Sequence, residues 1–290
     1  MKKSLRIIRY LDHKLAGGLI NQRGNDYELC YAIYQIMKLA DKFPAQATLV
    51  SLSAQVSAFV DDFYVKNLVA GEIEESYYQL KTSARLSWGK ATKIGSLNFD
   101  FNTQKNQLLQ NKVTFELVLV VAITKVHASL RKKQPASLKR YCTIENFPWA
   151  GSMTQQLASV TSFKEIAERL CAFPDADKLV SLVSHFVGAW AMTNRQNVPL
   201  DQILQMVRSR GMAFLRPGLH PPLDPTVAGI LDAIPGFGYQ IVNGYLAWHF
   251  SNTDQGYIPH VLGSAEFRNI EAEILLKHPA TFTDIETIIS

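Results

Sequence analysis

Apolar positions recur along this chain at two different periods, and the change from one to the other divides it. Leu29, Ile33, Ile36 and Met37 stand three or four residues apart, the spacing of one helix face, with Asn25 or Asp26 placed to cap the helix. Pro44 ends it, because the residue before a proline, here Phe43, is biased away from helical backbone. Three runs rich in β-branched and aromatic residues follow, at 58–65, 76–81 and 114–123, and read as strands. The last is apolar on both faces, as expected of a strand buried between layers. The stretch 83–110 is polar, with Gly and Asn, and has room for a short helix. A basic segment, 131–140, broken by Pro135, closes this part.

Beyond about residue 145 the pattern is helical. Ser162 with Glu165 forms a capping box ahead of Ile166 and Leu170, and Thr283 with Glu286 forms another. The run 180–192 is apolar at helical spacing, and 199–208 reads as a helix with a basic end. Asp224-Pro225 is a cap followed by proline at the first helical position. The prolines of 217–225 and Gly236-Phe237-Gly238 punctuate these helices. The expected fold class is α+β: a central mixed sheet flanked by helices over 1–145, followed by a mostly α-helical domain over 146–290.

Composition narrows the functional classes. With 290 residues, 47% of them hydrophobic and 19% charged, the chain can bury a sizeable core and is neither disordered nor fibrous. Its longest apolar run, 117–123, is far too short to span a bilayer, and no apolar signal-peptide core follows Met1-Lys2-Lys3. The three scattered cysteines, Cys30, Cys142 and Cys171, form no disulfide framework or CxxC knuckle. A cytoplasmic protein without membrane contact is therefore expected. The net charge of +5 is unevenly placed: +9 over 1–145 and −4 over 146–290. A basic first half suits phosphate, or is simply a solvated face.

Candidate chemistry lies in that first half. Glu28 stands on the opening helix, Asp61-Asp62 in the run Phe59-Val60-Asp61-Asp62-Phe63, and Gln79-Leu80-Lys81 at the end of the second strand-like run. Adjacent carboxylates in a strand are costly to bury without a cation or hydrogen bonds, and alternation lets only one of them face a site. The same alternation puts Gln79 and Lys81 on one face, with Tyr78 and Leu80 on the other. Taken singly, Asp61-Asp62 also suits a turn, Gln79 and Lys81 an exposed strand, and Glu28 a solvated helix position. Trp88, flanked by Arg85 and Lys90, suits either a DNA-contacting residue or a tryptophan packed near the sheet. The seven histidines lack HxH or HxxxH spacing, and no GxxxxGK[ST] or GxSxG occurs.

In their order, helix acid, Asp62, then Gln79-Leu80-Lys81, these residues resemble the PD-(D/E)xK, or restriction-endonuclease-like, superfamily. Within it they are most similar to the double-stranded-DNA endonuclease domain of bacterial anti-phage defence effectors, which has a QxK variant and a glycine-rich opening, here Gly17-Gly18 and Arg23-Gly24. The resemblance spans about residues 15–127. It implies a metal-dependent DNA endonuclease, with Mg²⁺ or Mn²⁺ held by Asp62, Gln79, the Leu80 carbonyl and Glu28, directly or through water. Lys81 would orient the attacking water and offset charge on phosphorus. Arg23, Arg85, Lys90 and Lys93 would contact DNA. It further implies oligomerisation and an ATPase partner of SMC-like or HerA-like type, bound or a ligand sensed by the helical half. Glutamine in place of an acid removes one negative charge, so the alternative is a catalytically inactive nuclease fold serving as scaffold or DNA-binding subunit.

Overall fold

The computed structural model describes the backbone of residues 2–43, 47–69, 72–211, 214–216, 222–242, 244–251 and 254–289. Side chains are described from residue 21 on, apart from 69, 211 and 261. Against the expected division at 145/146, two compact units interleave along the chain: 1–35, 49–164 and 193–198 form one, and 36–48, 165–192 and 199–290 the other.

The first unit is built on a mixed sheet. Strands β1 (Val50–Ala54), β2 (Phe63–Val69) and β3 (Glu72–Lys81) are antiparallel neighbours, while β4 (Thr114–Val121) and β5 (Cys142–Asn146) add in parallel beyond β3. With the two-residue β6 (Val198–Pro199) at the far edge, the order is β5-β4-β3-β2-β1-β6. The expected strand at 76–81 lies within β3, and that at 114–123 covers β4 and overruns its end by two residues. The one at 58–65 begins only at Phe63. Residues 55–62 instead form a turn, closed by Val56 N–H to the Asp61 carbonyl and Gln55 N–H to the Asp62 carbonyl.

Both sheet faces are covered, which explains the two-sided apolar character of β4. Leu117, Leu119 and Val121 share a core with Phe101 and Leu108 of α2 (Leu97–Gln110) and Val126 and Leu130 of α3 (Thr124–Lys132). On the other face, Tyr78 meets Tyr31 of α1 (Lys2–Lys42), whose ring also stands edge-on to Phe147 at 5.2 Å. Two phenols fix the rotational setting of α1: Tyr27 donates to the Phe147 carbonyl at 3.0 Å and Tyr31 to Glu145 at 2.7 Å.

Three boundaries differ from expectation. Asn25 and Asp26 lie inside α1, and so do Gly17-Gly18 and Arg23-Gly24, expected to precede it. Glycine in a helix costs about 1 kcal/mol, and the buried aromatic face at 27–36 offsets that by packing. Ser162 sits within α5 (Thr161–Leu170), which follows α4 (Met153–Ser159), and the cap of α10 (Phe282–Ile289) is Thr281, whose hydroxyl and N–H both bond Asp284.

The second unit is less helical than expected. It holds α6 (Ala176–Ala191), α7 (Leu200–Gly211), α8 (Pro225–Asp232) and α9 (Ala265–Lys277), but also an antiparallel meander of β7 (Phe237–Val242), β8 (Tyr245–Phe250) and β9 (Asp254–Val261). Leu246 and Ile258 of that meander are buried with Val227, Leu231, Phe267 and Ile274 of the helices. The Asp224 cap appears as expected, its carboxylate accepting from the N–H groups of Thr226 and Val227, which holds its pKa below the usual range.

The three cysteines are buried thiols, and burial raises the pKa of each, that of Cys142 to about 12. A native sample treated with a thiol reagent at pH 8 is therefore expected to react slowly, and to titrate fully only after unfolding. Rapid reaction before unfolding contradicts this burial.

Candidate active site

At the end of β3, Asp62 is the point of convergence. One of its oxygens, Oδ2, accepts from the Gln79 amide Nε2 at 2.5 Å and from the Leu80 backbone N–H at 2.7 Å. The Lys81 ammonium lies 3.6 Å from the same atom. Asp62 is brought there because its own N–H donates to the Tyr78 carbonyl, extending the β2–β3 pairing one residue before β2 begins. N–H and C=O of one strand residue point to the same edge, so the Leu80 carbonyl faces the Asp62 side as well. Gln79 and Lys81 pair in register with Leu119 and Val121, and Tyr78 and Leu80 with Val118 and Val120. The expected alternation along β3 is therefore present.

Glu28 approaches from α1. Its carboxylate accepts from Gln55 Nε2 at 2.9 Å, and Gln55 holds this place with a left-handed φ of 55°. Burial is the main cause that raises the Glu28 pKa; the charges of Asp62 and Asp61 add to it, and Lys81 and the Gln55 bond oppose it. Glu28 thus senses the charges of both Asp62 and Lys81.

The structure corrects one inference about the paired aspartates. Because 61–62 belong to a turn rather than a strand, strict alternation does not separate them: Asp62 bonds Gln79, and Asp61 senses the Asp62 charge, with Gln79 and Lys81 acting to lower its pKa. The Asp61 carboxyl is raised chiefly by burial and then by Asp62. A further acid unforeseen in the sequence, Asp100 in the first turn of α2, is raised by burial and by Asp61, and lowered in part by Gly95 N–H and Lys81. Only the folding of α2 beside the 55–62 turn brings it near, with Phe59 N–H donating to Gln104 and the Phe59 and Phe99 rings edge to face. No spacing in the sequence encodes that contact.

The expected DNA-contacting residues divide. Arg85, Lys90 and Lys93 are exposed on the segment between Lys81 and α2. Arg23 lines a separate groove of about 520 Å³ with Gln22, Asp26, Trp149, Ala150 and Gly151. Trp88 is buried, its indole N–H donating to the Leu130 carbonyl at 2.9 Å and its ring edge-on to Phe101, so it packs in the core and does not present a stacking face.

Among the described residues no group of three or more His, Cys, Asp or Glu side chains could hold a metal ion. The donors that fit a hard cation here are one carboxylate, Asp62, with the Leu80 carbonyl and the Gln79 amide oxygen. Mg²⁺ accepts a set this small, since it keeps several waters and takes oxygens from a substrate phosphate. The Gln79 amide now turns its NH₂ to Asp62, so offering its oxygen requires a half-turn about its terminal torsion, which is broad and two-fold.

No protein-family model and no curated protein matches the chain. Among solved structures, it is similar to the Acinetobacter baumannii Cap4 SAVED/CARF-domain containing receptor, with a TM-score of 0.38 and 12% identity over 62% of this chain and 48% of that one. The same values hold for that receptor with the cyclic trinucleotide 3'3'3'-cAAA, and with 2'3'3'-cAAA they are 0.37 and 10% over 62% and 46%. The chain spans about half the length of these structures. Among the described residues no helix is long and apolar enough to cross a membrane.

Proposed function

We propose that the protein is a Mg²⁺- or Mn²⁺-dependent endonuclease of double-stranded DNA. The convergence of Asp62, Gln79, Leu80 and Lys81 at the end of β3 carries this reading. Asp62 would hold the ion, with the Leu80 carbonyl, the Gln79 amide oxygen and Glu28 beside it. Bound there, the metal supplies a Lewis acid and lowers the pKa of a coordinated water. The chain's own residues do the rest. Lys81, tethered by Asp62, sets a fixed cation against the phosphate and orients a water for attack. Burial of Gln79 and partial burial of Asp62 strengthen both interactions relative to solvent. By the resemblance given above, such an enzyme acts as an effector of anti-phage defence, activated through a partner or ligand.

A second reading is favoured by one observation. Asp62 Oδ2 already has two protein hydrogen-bond donors and a nearby ammonium, so the cluster holds together without a metal, as a scaffold requires. Gln79→Glu separates the two. Without metal, the new carboxylate faces Asp62 and Asp61 in place of a donor, and the melting temperature falls. With Mg²⁺ it adds a hard ligand, so the Mg²⁺-induced rise in melting temperature exceeds that of the wild type. A variant destabilised equally with and without Mg²⁺ supports the scaffold.

A further inference from the structure

We infer that the segment 82–96 is a preformed clamp for duplex DNA, with Ile94 as an apolar wedge between base steps and Arg85, Lys90 and Lys93 on the flanking phosphates. The choice of ligand rests on the nuclease reading above. The segment starts at Lys81 and ends at the Ser96 cap of α2, whose first-turn Asp100 senses Lys81 and Asp61, so both ends are tied to the site. It contains no acidic residue. Among the described residues, none of its three cations is held in an ion pair. A strand of phosphates is the complementary surface.

Ile94 is 81% exposed. A lone exposed aliphatic residue is ordinary; its setting here is not. Lys93 N–H bonds the Lys90 carbonyl and Ser96 N–H bonds the Lys93 carbonyl, which places Ile94 at the second position of a closed turn. Gly95 follows at φ 76°, the left-handed conformation that such a turn assigns to glycine. The base of the segment is locked. Ser96 Oγ donates to the Lys90 carbonyl at 2.7 Å, Asn98 N–H to the Trp88 carbonyl at 2.8 Å, and the Trp88 indole is fixed in the core. At Gly89, φ 69°, a Cβ would come within 2.8 Å of the Ser96 Cβ, so no larger residue fits there. The tip is therefore rigid and apolar, with Lys90 and Lys93 in the hydrogen-bonded turns that carry it. Isoleucine is among the side chains that proteins insert between base steps from the minor groove, and a rigid tip loses little entropy on insertion.

The test uses the full chain in EDTA, so that binding is measured without cleavage, and a duplex carrying 2-aminopurine. The wild type is expected to bind with a 2-aminopurine fluorescence rise from unstacking. Ile94→Ser removes that rise and weakens binding roughly tenfold, leaving the salt dependence and melting temperature unchanged. Lys90→Ala with Lys93→Ala lowers the slope of log K against log salt by about 2 and weakens binding to any duplex sequence. An unchanged fluorescence rise in Ile94→Ser, no duplex binding by the wild type, or binding to anionic vesicles in place of DNA overturns the clamp. Asp62-dependent cleavage with no Ile94 effect removes the wedge and keeps the nuclease. Wedge-dependent unstacking with no cleavage does the reverse.

Discussion

Asp62→Ala is expected to lower Mg²⁺-dependent plasmid cleavage by about a thousandfold or more. Removing this carboxylate takes away the anionic group bonded to the end of β3 and the tether that holds Lys81 3.6 Å away. A Lewis acid stabilises the phosphoryl transition state by several kcal/mol, and each 1.4 kcal/mol is about tenfold in rate. Lys81→Ala removes only the fixed cation, and a loss nearer a hundredfold is expected. Glu28 does not substitute for Asp62: its carboxylate is engaged by Gln55 and burial favours its neutral form. Gel analysis of nicked and linear plasmid, with wild type and both variants at equal concentration, measures all three rates. Equal cleavage by the three removes the residue assignment.

The second large effect is on stability. Trp88→Ala is expected to cost about 3–5 kcal/mol, a large share of a typical domain's stability. The indole is buried against Phe101 at a centroid distance of 5.7 Å, and truncation leaves a cavity in the core shared by α2, α3 and β4. It also leaves the Leu130 carbonyl without its donor. Trp88→Phe, which keeps most of the packing, separates the two contributions and is expected to cost about 1 kcal/mol more than the packing difference alone. Urea unfolding should show a lower midpoint with an unchanged slope for both variants. An unfolding free energy for Trp88→Ala within about 0.5 kcal/mol of the wild type, as for an ordinary surface substitution, contradicts its role as the anchor of the 82–96 segment.

The sequence disclosed the parts of the site that follow local rules. β3 and β4 were legible because β-branched and aromatic runs mark strands wherever packing agrees with propensity, and the face shared by Gln79 and Lys81 follows from a period of two. Asp62 was legible as a residue and misplaced as an element: Val60 and Phe63 suggest a continuous strand, yet Val60 buries itself in the α2 core while Asp61 and Asp62 turn. Tertiary packing overrode propensity there. The helix start at Asn25 failed for a related reason. Asparagine and aspartate favour caps, but α1 runs through them because Tyr27 and Tyr31 are pinned to Phe147 and Glu145. The β7–β9 meander was hidden by the glycines that interrupt it, Gly238 within β7 and Gly256 within β9, which weaken a strand pattern. Trp88 was ambiguous by type and settled only by its partner, the carbonyl of Leu130, 42 residues away.

Whether a divalent cation binds at Asp62 is measured most directly by calorimetric titration of Mn²⁺ into the wild-type protein and into Asp62→Asn. The asparagine keeps the shape and still accepts hydrogen bonds from Gln79 and Leu80, while it loses the charge. Saturable binding by the wild type that vanishes in Asp62→Asn is the expected result. Equal binding by both, or none by either, contradicts a metal centre at the end of β3 and with it the nuclease reading.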